Sequence, residues 1–258
     1  MKTTHIFAVL LLGMCITSAR AETVLVTGSN RGIGLEFVRQ YAQRGWTVIA
    51  TARAPDSAEE LKALAARHRG VRIERLDVVD VEGIKALAAK YSGTPIDVLI
   101  NNAGVLGELD RQKLGSFHYE EFQNVMGVNT YGPLAVSDAF RSHVAASRQK
   151  KIIGITSGSG QISLTVGGGS YFYKASKIGL NMVFRALASD LESDGIIVAL
   201  IAPGAVNTDM RRAAVGPEAA ARDLSASESV GAMMKTIDAL TRSESGRALN
   251  YDGRAIAW

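Results

Sequence analysis

Tyr173 and Lys177, in the run Tyr173-Lys174-Ala175-Ser176-Lys177, stand four residues apart, so on a helix they share one face. A phenol titrates near about 10 and is a poor proton donor or acceptor at neutral pH. A neighbouring ammonium stabilises the phenolate, lowers that pKa and brings the hydroxyl towards useful acid–base chemistry. Ser157, at the end of the apolar run KIIGITS, can hydrogen-bond the same substrate oxygen. Tyr171 is the rival tyrosine, but no lysine follows it four residues on, and it is expected to line the pocket or to pack.

A second group of residues points to a nucleotide. In Thr27-Gly28-Ser29-Asn30-Arg31-Gly32-Ile33-Gly34 the glycines follow an apolar strand and open a helical pattern. Glycines let the backbone approach a pyrophosphate, and a helix N-terminus offers free N–H groups and partial positive charge. A plain tight turn is the alternative reading. The second strand ends Thr51-Ala52-Arg53, without the carboxylate that would bind a ribose 2′-hydroxyl. A guanidinium pairs with a phosphate, whereas a carboxylate repels it, so Arg53, with Arg31 as a second cation, favours NADP over NAD. Arg53 as a solvated strand-end residue is the alternative. Asn101-Asn102-Ala103-Gly104 closes the fourth strand, where small residues let the chain pass close beneath a ligand; a polar turn would read the same way.

The elements that must carry these residues alternate between strand and helix over most of 23–205. Thr23–Thr27, WTVIATA, VRIERLDV, IDVLI, KIIGIT and IIVALIA are short apolar runs, as expected where helices cover both faces of a parallel sheet. Between them Ile33, Phe37, Val38, Tyr41 and Ala42 recur at helical spacing, as do Leu61, Leu64 and Ala65, and then Ile84, Leu87, Ala88 and Tyr91. Gly45 ends the first of these helices. Longer helical stretches are expected around 119–147 and 172–192. The pattern implies an α/β single-domain Rossmann fold, a doubly wound parallel sheet with ligands at the carboxyl ends of its strands.

TGSNRGIG, Asp77-Val78, NNAG, Asn129, Ser157, YKASK and Pro203-Gly204-Ala205-Val206-Asn207-Thr208 occur in the order found in the short-chain dehydrogenase/reductases, which the chain resembles from about Thr23 to its end. The stretches GVNTYGPLAV, YKASKIGLNM, PGAVNTDM and YDGRAIAW are similar to the C-factor and sniffer-like carbonyl reductase branch. The resemblance implies NADP(H)-dependent hydride transfer between nicotinamide and a small-molecule carbonyl or alcohol. It makes Tyr173 the general acid–base and Ser157 the residue that orients the carbonyl. Lys177 would bind nicotinamide-ribose hydroxyls, and Asn129 would hold a water of the proton relay. It places Asp77 and Val78 at the adenine, Val206 and Thr208 at the nicotinamide end, and the glycine-loop residues with Asn102, Ala103 and Gly104 along the cofactor. GSGQISLTVGGGSYF, between Ser157 and Tyr173, is glycine-rich and long for the superfamily, which keeps Ser159 as a minor rival to Ser157. The loops around 105–118 and 207–225 carry no interpretable motif, so the substrate stays unidentified. A nucleotide-binding signalling or interaction protein of C-factor type is the second reading, but a pure binder has no physical need for the tyrosine–lysine pair.

Composition narrows the partners. The 258 residues carry 29 basic and 25 acidic side chains, a formal charge of +4 without basic clustering, which speaks against nucleic acid. His5, His68, His118 and His143 are scattered and Cys15 is the one cysteine, so no metal site is expected. A homo-oligomer is left open. Lys2, the apolar run Ile6–Ile16 and Ala19-Arg20-Ala21 fit an export signal cleaved after Ala21, which would leave residues 22–258 as a periplasmic or secreted domain. The run is too short for a comfortable membrane span. An uncleaved hydrophobic anchor is one alternative, and translation from Met14, giving a cytoplasmic chain, is the other.

Overall fold

Val, Ile and Leu dominate the short apolar runs, and their side chains alternate between two separate cores. Val24 and Val26 point into one core and Leu25 into the other; Val98 and Ile100 are likewise opposed by Leu99, and Ile153 and Ile155 by Ile152. Strands covered on both faces by apolar layers can be parallel and central, and that is the architecture formed. The computed structural model describes residues 21–163 and 167–257. The expected export segment, residues 1–21, lies outside these residues except for Ala21.

In chain order the elements are β1 (Thr23–Val26), α1 (Gly32–Gln43), β2 (Thr47–Ala52), α2 (Glu59–Arg67), β3 (Val71–Arg75), α3 (Val81–Lys90), β4 (Val98–Asn101), the hairpin strands β5 (Gln112–Lys113) and β6 (Ser116–Phe117), α4 (Tyr119–Met126), α5 (Gly132–Ala145), β7 (Lys151–Ile155), α6 (Tyr171–Asp190), β8 (Ile197–Ala202), α7 (Asp209–Val215), α8 (Pro217–Ala220), α9 (Ala226–Ala239) and β9 (Ala248–Asn250). The main sheet has the order β3-β2-β1-β4-β7-β8-β9, and each neighbouring pair is parallel. Phe37, Tyr41, Leu61, Met233 and Met234 cover one face from α1, α2 and α9; Ile84, Phe140 and Phe184 cover the other from α3, α5 and α6.

The order reverses beside β1. The chain builds outward to β3, then returns to lay β4 on the opposite side of β1. Such a switch opens a crevice above the carboxyl ends of the two central strands. The glycine loop follows β1 and Asn101-Asn102-Ala103-Gly104 ends β4, so both flank that crevice.

Several boundaries differ from expectation. The third strand stops at Arg75, leaving Asp77 and Val78 in the connection to α3. The helical stretch expected over 119–147 is α4, a π-helical turn at Gly127–Tyr131 and α5. Neither the hairpin at 112–117 nor the edge strand β9 was visible as a sequence pattern; two- and three-residue strands are too short to establish a period.

Candidate active site

The glycine loop is held from below. The Thr27 hydroxyl accepts from the backbone N–H groups of Asn102 and Ala103, both at 3.0 Å. Asn102 Nδ2 donates to the carbonyls of Thr27 at 2.9 Å and Gly28 at 3.0 Å. Gly34 is required sterically: a Cβ there would stand 2.1 Å from the Gly28 carbonyl oxygen and 2.5 Å from Asn102 Nδ2. Ser29 is buried and its hydroxyl donates to the Val26 carbonyl at 2.8 Å, so its side chain braces the loop. Asn30, Arg31 and Gly32 form an exposed crest where α1 begins, and no acidic residue occupies the first turn. An anion at this crest would meet the helix N-terminus with no carboxylate from α1 itself, the nearby acid being Asp209 of α7. Ile33 packs partly against the core beneath.

Two cations stand near the crest. Arg53 is exposed just beyond β2. Arg31 pairs with Asp209 at 3.6 Å, linking the glycine loop to the start of α7. Both side chains of that pair are largely solvated, so the pair is weak and open to exchange. Val78 is buried beside the partly buried Asp77, whose carboxylate accepts from the Val79 N–H at 3.2 Å. On the other side, Val206 is buried and Thr208 caps α7 by accepting from the Arg211 N–H at 3.2 Å. The glycine-loop crest and Thr208 approach each other: a Cβ on Gly32 would lie 3.6 Å from Thr208 Cγ2.

Two of the residues expected to handle a proton, Tyr173 and Lys177, sit at the start of α6, and Ser157 follows β7. Lys177 is 6% exposed and its ammonium donates to the Ile155 carbonyl at 2.9 Å. Burial pushes its pKa down to about 8. Its Nζ lies 5.8 Å from the Tyr173 ring centroid. Part of Tyr173 reaches solvent, yet desolvation pushes its phenol above the usual range, while a hydrogen bond with Ser157 pulls the other way. The downward shift expected from Lys177 is therefore not the resting balance: the ammonium is directed at a carbonyl rather than at the phenol, and burial of the ring prevails. Ser157 also accepts from the Ser159 N–H at 3.1 Å, so the rival Ser159 supports Ser157 through its backbone. Tyr171 is exposed and packs edge-on against Phe117, with centroids 5.3 Å apart.

Asn129 lies in the π-helical turn and is fully buried. Its Nδ2 donates to the Val105 carbonyl at 2.8 Å and to Ser176 Oγ at 2.9 Å, and its Oδ1 accepts from the Val105 N–H at 2.8 Å. Ser176 Oγ in turn donates to the Tyr173 carbonyl at 2.8 Å. The loop after Gly104 is thus tied through Asn129 to the turn of α6 that carries Tyr173. Gly104 lies against the same group, since a Cβ on it would sit 3.3 Å from Asn129 Oδ1 and 3.7 Å from Lys177 Nζ. Ser176, Val105 and the Ile155 carbonyl were not anticipated from sequence. Ser176 was in plain view within YKASK, but spacing alone does not reveal its partner.

Among the described residues, no group of three or more His, Cys, Asp or Glu side chains converges on a metal position, and no helix is long and apolar enough to cross a membrane.

The family model for short chain dehydrogenase matches residues 22–219. C-signal of Myxococcus xanthus is 35% identical over 175 residues, which span 68% of this chain and 100% of that protein. An NADPH-bound carbonyl reductase from chicken fatty liver superposes with a TM-score of 0.84 at 34% identity, covering 93% of this chain and 100% of the other. Carbonyl reductase Sniffer of D. melanogaster gives 0.81 at 28% identity, covering 92% of this chain and 100% of the other.

Proposed function

Because the chain belongs to the short-chain dehydrogenase family, whose members are NAD(P)-dependent oxidoreductases, we propose that it is an NADPH-dependent carbonyl reductase with Tyr173 as its proton donor. The observation that carries this reading is the joint placement of Tyr173, Ser157 and Lys177 beside the crevice that the glycine loop floors. Solved relatives named as carbonyl reductases, one of them NADPH-bound, support it.

The nicotinamide cofactor, when bound, supplies the hydride. The crest at Asn30–Gly32 would take its pyrophosphate, and Arg53 and Arg31 a 2′-phosphate. For Arg31 this requires leaving Asp209, a small loss for a solvated pair. Asp77 and Val78 would border its adenine end, Val206 and Thr208 its nicotinamide end, and Asn102, Ala103 and Gly104 would lie along it. Ser157 donates a hydrogen bond to the substrate carbonyl oxygen and fixes it facing Tyr173. The Tyr173 hydroxyl then transfers its proton to that oxygen. A phenol pushed upward by burial is held protonated, which suits a donor in the reductive direction. Lys177, cationic below about pH 8, would stabilise the phenolate left behind and would bind the ribose hydroxyls, turning from the Ile155 carbonyl it meets here. Asn129, held by Val105 and Ser176 in the π-helical turn, would hold a water of the proton relay.

The test is NADPH oxidation with a panel of aldehydes, ketones and quinones, run in parallel with NADH. Turnover with at least one carbonyl and preference for NADPH are expected. Arg53→Asp should weaken NADPH binding by about 1.5–3 kcal/mol, the scale of a charge-assisted hydrogen bond, and leave NADH little changed. Equal affinity of the wild type for both cofactors rejects the NADP assignment. Similarity to C-signal supports a signalling role as the second reading; it is favoured if nucleotide binds but no carbonyl is turned over. Export is proposed on the sequence alone. A mature start at Glu22 in the extracytoplasmic fraction supports it, and a cytosolic chain starting at Met14 contradicts it.

A further inference from the structure

Helix α6 begins without a cap of its own. Ser170, immediately before it, has φ 47° and ψ 38°, left-handed backbone that a serine seldom adopts, and its side chain makes no capping hydrogen bond. The first N–H groups of a helix still need acceptors. Here the acceptor comes from the hairpin: Gln112 Oε1 accepts from the Phe172 N–H at 3.2 Å and from the Tyr173 N–H at 3.3 Å. The other end of the same amide faces the loop that follows Gly104. Gln112 Nε2 donates to the Leu106 carbonyl at 3.0 Å and, more weakly, to that of Glu108 at 3.5 Å. Gln112 is fully buried.

That loop is pinned on both sides of this contact. Asn129 holds Val105, and Glu121, itself buried, accepts from the Glu108 N–H at 3.1 Å. The packing leaves no slack, because a Cβ on Gly107 would come within 2.6 Å of Val125 Cγ2 and 2.9 Å of Gln112 Nε2.

We propose that Gln112 is a positioning residue of the active site. One amide sets the turn of α6 that bears Tyr173 and the backbone of 106–108 together, so the proton donor and the wall facing it move as one body. Only a side chain with an acceptor and donors at this reach serves both sides. An apolar substitute leaves two N–H groups and the Leu106 carbonyl without partners in a buried place. The inference rests on Tyr173 being the proton donor.

The experiment compares Gln112→Met, Gln112→Glu, Tyr173→Phe and the wild type as full chains. NADPH titration counts the folded, cofactor-competent molecules, and kcat and KM are measured with the best carbonyl of the panel. In Gln112→Met, kcat per competent molecule should fall about ten- to hundredfold, the scale of a misplaced reacting group, with NADPH affinity unchanged. Gln112→Glu keeps an acceptor for the helix and loses the donors to the loop. It should recover most of kcat, with the carbonyl KM raised above the wild-type value. Wild-type kcat and KM in Gln112→Met overturn the proposal, as do equal losses in both variants that merely track a lowered Tm. Should Gln112→Met not bind NADPH at all, Gln112→Glu decides: a raised KM with kcat retained supports the proposal, and unchanged constants overturn it. Failure of the underlying reading is separate, because Tyr173→Phe would then turn over like the wild type.

Discussion

Two lysines, each 6% exposed, are buried at opposite ends of the same sheet, and their surroundings differ in kind. Lys151 opens β7 at the amino end. Its ammonium donates to the carbonyls of Ile237 at 2.7 Å and Asp238 at 3.2 Å, in the last turn of α9. These are carbonyls that a helix leaves without internal partners, and a cation there also meets the negative end of the helix dipole. Burial lowers its pKa, but the carboxylates of Asp238 and Glu22 oppose the shift. Lys177, above the carboxyl ends, has the Ile155 carbonyl and the Tyr173 ring nearby, and burial alone sets its titration. Two lysines of equal exposure therefore do different jobs, and the Lys177 ammonium is the more deeply enclosed. At the amino end the charge completes a helix terminus and is balanced; at the carboxyl end it is held under desolvation strain next to a phenol. The difference separates a lysine that completes a helix end from one held at a cost beside the proposed proton donor.

Exchanging each lysine for methionine sharpens the contrast. Lys177→Met should cost at least about a hundredfold in turnover, the lower bound for a positioned acid–base system, while Lys151→Met leaves turnover per folded molecule unchanged. Comparable losses in both would erase the distinction.

The pH dependence of stability gives the next largest effect. Lys177 titrates at about 8 in the folded chain, against about 10.5 unfolded. Between those values the unfolded state binds more protons, so stability rises with pH. From pH 8 to pH 10 this contributes about 2 kcal/mol, which denaturant unfolding of the wild type should display and Lys177→Met should lack. Parallel curves for the two proteins would mean that the ammonium is better solvated than its surroundings indicate.

The smallest effect is at the amino end. Lys151→Met leaves two carbonyls of α9 without their donor but removes a buried charge, and the balance should be a loss of about 1 kcal/mol, read from the urea midpoint. A gain in stability would show that desolvation outweighs the cap.

The sheet, its covering helices and the motif residues were legible because their signals are local. Apolar runs, helical stripes and the four-residue step from Tyr173 to Lys177 all lie within a few residues of chain. What escaped depends on distant segments. Gln112 acts on an N–H 61 residues away, Asn129 meets Ser176 across 47, and neither pairing leaves a periodic trace. The upward push on Tyr173 escaped for a related reason, since it comes from packing round the ring. The lysine could be placed on the right helix face from spacing, but not the direction of its ammonium. The loop over 105–118 was the least legible, because its shape is set by the buried Gln112 amide and Glu121 carboxylate, which resemble ordinary surface residues in the sequence.

The most direct test is a single turnover of bound NADPH with carbonyl in excess, followed in the wild type and in Tyr173→Phe after nucleotide titration of each. The expected result is wild-type NADPH affinity in Tyr173→Phe and oxidation slowed at least about a hundredfold. Oxidation by Tyr173→Phe at the wild-type rate, or a loss confined to Tyr171→Phe, would contradict the assignment of Tyr173 as the proton donor.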